Sequence, residues 1–135
     1  MPLVLASANL TDDEFLSAFE TGDLPLSEFR HADHLRLAWL CLHQASPAEA
    51  ELQVRNGIKR FAERHGVPDI YHDTITRAWV RLLSTHCEPS CLEFLRKHEC
   101  RLNMDLLYRF WTPGLLASEQ ARSDWIAPDR GPLPG

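Results

Sequence analysis

Phe29-Arg30-His31-Ala32-Asp33-His34-Leu35-Arg36-Leu37-Ala38-Trp39-Leu40-Cys41-Leu42 decides the fold. Its second half is the most apolar continuous run in the chain, and its first half places two histidines and an aspartate within four residues. Wound as an α-helix, His31, His34, Leu35, Ala38 and Leu42 share one stripe, because residues three and four apart lie on one face. Both imidazoles then project with the core-facing side chains, at the N-terminal mouth of a mostly buried helix. Asp33 points about 100° away from His34.

The flanking sequence supplies helix starts and stops. Thr11-Asp12-Asp13-Glu14 is a capping box, and Gly22 stops the helix it opens. Ser46-Pro47-Ala48-Glu49 has the same form, with Pro47 at the first helical position, and Gly66 ends that helix. Tyr71 to Leu83 carries a buried stripe of His72, Ile75, Thr76, Trp79, Leu82 and Leu83 beside a wet stripe of Asp73, Arg77 and Arg81. The expected helices run near 12–21, 30–44, 47–65 and 71–86, with Trp39 and Trp79 in the core. Shorter ones follow: one from Ser90, one over 103–111 stopped by Thr112-Pro113-Gly114, and one from Ser118 to about Ile126. No strand alternation appears, so the class is all-α. The expectation is a single domain, 1–135, built as a helical bundle of four main helices. An irregular lead-in covers 1–10 and a non-helical tail covers 127–135. Aligning Ala38-Trp39 on Ala78-Trp79 also superposes Asp33 on Asp73 and Leu35 on Ile75, an echo that reads as chance resemblance between two amphipathic helices, with an old helical-hairpin duplication as the alternative.

Composition excludes several classes. The chain has 135 residues, net charge −5 and no basic run, so nucleic-acid binding is not indicated. No apolar stretch reaches membrane-spanning length, and the start lacks the pattern of a signal peptide. Cys41 lies in the buried helix, and Cys87, Cys91 and Cys100 lack CxxC knuckles, which disfavours a zinc cluster there. The reading is a reducing, cytoplasmic setting.

Short connections favour antiparallel neighbours, so the second and fourth helices run the same way and share an end. His31, His34 and His72 then converge. A helix N-terminus disfavours imidazolium, and a neutral ring can bind a divalent metal such as zinc, iron or copper. Asp33 or Asp73 would be the fourth ligand or the proton acceptor. The expected function is a small metal-dependent enzyme acting on a small metabolite, an anionic one included. Two alternatives stand beside it: a metal-free enzyme with a histidine general base, and a non-catalytic ligand- or protein-binding module with structural histidines. A histidine near a helix start is commonly a packed or capping residue. His43, His65, His86 and His98 read as surface residues. Paired Glu-x-x-His and HExxH motifs are absent, and His72-Asp73 lacks the companions found in HD phosphohydrolases.

The pattern Phe29-x-His31-x-Asp33-His34-Leu35-x-Leu37-Ala38-Trp39, with His65-Gly66 and Tyr71-His72-x-Thr74-Ile75-Thr76, resembles a family of short, largely uncharacterised bacterial helical proteins. Ser118-x-x-Ala121-Arg122 and Pro128-Asp129-Arg130 are similar to it as well. The resemblance spans roughly residues 29–83 and 114–134 and brings no assigned substrate, cofactor or catalytic residue with it.

Overall fold

The computed structural model describes residues 7, 9–85, 91–98 and 102–134. Among these the regular structure is helical throughout, with no strand. Helix α1 spans Asp12–Thr21. The Thr11 hydroxyl accepts from the Glu14 N–H at 3.2 Å, and the Glu14 carboxylate accepts from the Thr11 N–H at 2.9 Å. Gly22 closes α1 at φ 85°, a conformation that only glycine adopts without strain. Helix α2 spans His31–Gln44 and α3 spans Pro47–Arg64, joined by Ala45 and Ser46. Ser46 caps α3 through one bond from Glu49 N–H, so only half of the expected capping box forms. Helix α4 spans Asp73–Leu83. It starts later than the periodicity suggests because His72 is extended and acts as the cap itself. A single 3-10 turn precedes α2 at Leu26–Glu28, and another precedes α4 at Pro68–Ile70.

Helices α2, α3 and α4 pack against one another, and α1 lies on α3. Side chains from the starts of α2 and α4 and from the second half of α3 surround one space, so those two N-termini do share an end of the bundle. Trp39 and Trp79 are buried, as their stripes require. Phe19, Phe29 and Phe61 form an aromatic cluster with centroids 4.7–5.3 Å apart. The Phe19 ring edge packs on Gly57: a Cβ there would sit 2.8 Å from Cε2 of the ring. Trp39 stacks on Phe94, 4.9 Å between centroids, in α5 at Cys91–His98. The echo between α2 and α4 therefore ends at their tryptophans, whose surroundings differ.

The stripe Asp73, Arg77, Arg81 is not wet. Asp73 is fully buried, and its carboxylate accepts from Arg55 Nε at 2.9 Å, Arg77 at 3.3 Å and the Tyr71 hydroxyl at 2.5 Å. Glu51 accepts from Arg77 at 3.2 Å and Arg81 at 2.8 Å. Charges of opposite sign on α3 meet this face, so it is an interhelical ion network instead of a solvated ladder.

The C-terminal third departs most from expectation. The segment 103–111 holds only α6, Met104–Leu107. Thr112-Pro113-Gly114, expected as a stop, opens α7 at Pro113–Leu116, because proline's missing N–H costs nothing at a first helical position. Helix α8, Glu119–Ser123, is capped by Ser118 as expected. Beyond it the chain is non-helical and tied down. Thr74 Oγ1 donates to Asp124 O at 2.8 Å and accepts from Ile126 N at 3.2 Å. Trp111 donates to Ile126 O at 2.9 Å. No helix among the described residues is long and apolar enough to cross a membrane.

Candidate functional site

A cavity of about 340 Å³ lies where α2, α3 and α4 meet. Its walls are mainly apolar, with Phe29, Ile58, Phe61, Ile75 and Trp79 among them; His31, His34, His72, Tyr71 and Thr76 supply the polar groups. All three histidines expected to converge therefore face the same space. Each does so differently.

His34 lies one turn into α2 with its ring stacked on Phe29, 4.0 Å between centroids. Neither of its nitrogens has a hydrogen-bond partner among the described residues. Loss of water, helped by His31 and opposed by Asp33, pushes its pKa down to about 4, so the ring is neutral at pH 7. His31 opens α2 with one edge exposed and sits edge-on to Trp79 at 5.1 Å. Its Nε2 lies 2.8 Å from Leu102 O and donates to it, which leaves Nδ1 of the neutral ring with a free lone pair. Partial desolvation lowers its pKa against the pull of that carbonyl. His72 spends both nitrogens. Nδ1 accepts from Ile75 N at 3.1 Å, which fixes the tautomer, and Nε2 donates to Leu116 O at 2.7 Å. Desolvation lowers its pKa too, and nearby Arg122 adds to the effect.

The two aspartates expected beside these histidines do not line the cavity. Asp33, fully buried, accepts from Arg30 N at 3.0 Å and from both the amide (2.9 Å) and the hydroxyl of Ser7. Arg36 reinforces that corner by donating to Ser7 O and Leu10 O, each at 2.8 Å, and to Asp12. Asp33 thus caps α2 and holds Ser7, while Asp73 belongs to the ion network. Hydrogen bonds donated by Tyr71, Arg55 and Arg77 hold Asp73 ionised below the usual carboxylate range, against the cost of burial. Among the described residues no three His, Cys, Asp or Glu side chains are grouped to hold a metal ion. His86, Cys87 and Cys100 lie outside the described residues. His43 is exposed, His65 and His98 are half-buried, and none of them faces this cavity.

Sequence reasoning passed over Tyr71, Thr76, Leu26 and Ile70, which also line the space. Thr76 was visible on the His72 stripe as a polar residue among apolar ones. Leu26 and Ile70, in the two 3-10 turns, carry no periodic signal. No protein-family model, curated protein or solved structure matches this chain.

Proposed function

We propose that the protein binds a small, mostly apolar molecule in this cavity and holds one polar group of it through His34. The observation that carries this reading is a half-buried, neutral imidazole without a hydrogen-bond partner among the described residues, on the wall of a mainly apolar space. Leaving such a group unsatisfied costs free energy that a ligand's polar atom recovers. A neutral ring offers one donor and one acceptor. The cavity volume lies within the usual range for small-molecule sites. A pKa near 4 makes His34 a weak proton acceptor at neutral pH, so recognition suits it better than general-base chemistry. The free, buried Cys41 thiol fits a reducing cytoplasmic setting.

The test pairs a phenol with its hydrocarbon. p-Cresol should bind the purified protein about fivefold more tightly than toluene, the value of one net hydrogen bond. His34→Leu should equalise the two. Equal binding by the unaltered protein removes His34 from recognition, and no binding of either removes the cavity reading.

A second reading has its own support. His31 donates its Nε2–H to a backbone carbonyl, the arrangement that metal-ligating histidines use to fix the opposite nitrogen. His31 Nδ1 and His34 would then hold a divalent ion with open positions for substrate, and His72 would stand outside. Metal should copurify without an affinity tag, disappear in His31→Ala and His34→Ala, and persist in His72→Ala. Absence of metal after reconstitution with zinc, iron(II) and copper(II) overturns it.

A further inference from the structure

We infer that the cavity's occupant is amphipathic and anionic: an apolar body inside, and a carboxylate or phosphate head outside, held by Lys59 and Arg122. The inference rests on the small-molecule reading of the cavity. It starts from the rim. Three large apolar side chains among the described residues are markedly exposed, and two of them, Leu26 at 38% and Ile70 at 57%, line this cavity. They stand in the two 3-10 turns that precede α2 and α4, so apolar surface continues from the interior out past the mouth. An occupant contained wholly within would leave both wet; a longer one covers them.

Two cations stand beside that rim. Lys59 Nζ sits 5.2 Å over the ring of Tyr71, the residue after Ile70. The Arg122 guanidinium donates at 2.6 Å to the carbonyl of Asp69, the residue before Ile70. Two cations from different helices thus contact the residues on either side of one exposed isoleucine, just outside the cavity's own lining. Neither forms an ion pair among the described residues, although Asp69 itself carries a carboxylate on the same turn. In a chain of net charge −5, cations without acidic partners among the described residues beside an apolar mouth match an anion carried on an apolar body.

Calorimetric titration at low salt with four eight-carbon probes tests this: octanoate, octyl phosphate, 1-octanol and octyltrimethylammonium. Octanoate or octyl phosphate should bind about tenfold more tightly than octanol, and the cation more weakly than octanol. Whichever anion binds more tightly identifies the head. Added salt should erase most of the preference. Lys59→Gln/Arg122→Gln should abolish it and leave octanol binding unchanged, with an unaltered circular-dichroism spectrum and melting temperature as the check that the variant is folded; Lys59→Gln alone, at an exposed position, should lower the preference in part. Octanol bound as tightly as both anions overturns the head-group assignment while the cavity reading stands. Failure of all four to bind overturns both.

Discussion

Removing the imidazole at position 34 should flatten part of the protein's pH–stability profile. The folded protein holds His34 neutral with a pKa of about 4, against 6.5 for a free histidine. Between those values the unfolded chain carries a proton that the native ring refuses, so acid favours unfolding. Stability is complete above pH 6.5, falls as pH drops, and levels off below about pH 4, where both states are protonated. Each pH unit in that window is worth about 1.4 kcal/mol, so His34 alone should cost roughly 2 kcal/mol at pH 5 and roughly 3 over the whole window. His31 and His72 shift in the same direction, so the wild-type curve alone does not isolate His34. The comparison that does is urea unfolding of wild type and His34→Leu at half-unit steps from pH 7.5 to 4. The variant should gain on the wild type steadily as pH falls. A difference independent of pH would refute the claim that His34 is neutral and shielded in the folded protein.

Other substitutions report on other parts of the structure. Trp79→Ala removes a buried indole that also walls the cavity and should cost about 3–5 kcal/mol in chemical denaturation; a loss under about 1 would place Trp79 outside the core. Asp73→Ala leaves Arg55 and Arg77 without their shared carboxylate and should cost about 3–5 kcal/mol, whereas a neutral result would mean that the network is not formed. Gly57→Ala improves helix propensity by about 1 kcal/mol, yet its methyl meets a packed Phe19 ring, so net destabilisation is expected; a raised melting temperature would show that Phe19 yields freely.

Helix starts were the most legible part of the chain. Thr11 and Ser46 announce α1 and α3 because capping is local chemistry, written within four residues. The shared end of α2 and α4, and with it the convergence of three histidines, followed from short connections. Side-chain direction at the helix mouths was less legible. Asp33, at the third position of α2, accepts from the N–H of Arg30 at the helix's own cap, and its other partner Ser7 lies far away in sequence. Asp73 and the arginines one and two turns on look solvated until Glu51 and Arg55 are placed opposite them by tertiary packing. The commitment of His72 to two backbone groups was invisible as well, because Leu116 comes from a segment with no strong periodicity.

Both ring anchors come late in the chain. His31 is held by the carbonyl of Leu102 and His72 by that of Leu116, while the helices that carry them end at residues 44 and 83. During synthesis the bundle of α2, α3 and α4 can therefore assemble before these two carbonyls emerge, with His72 held only by Ile75 N and His31 by neither backbone group, and the carbonyl anchor of each ring is set only after the last third has followed. A chain stalled before residue 102 would thus carry every residue that lines the cavity, His34 included, yet lack the two carbonyls that hold His31 and the Nε2 of His72.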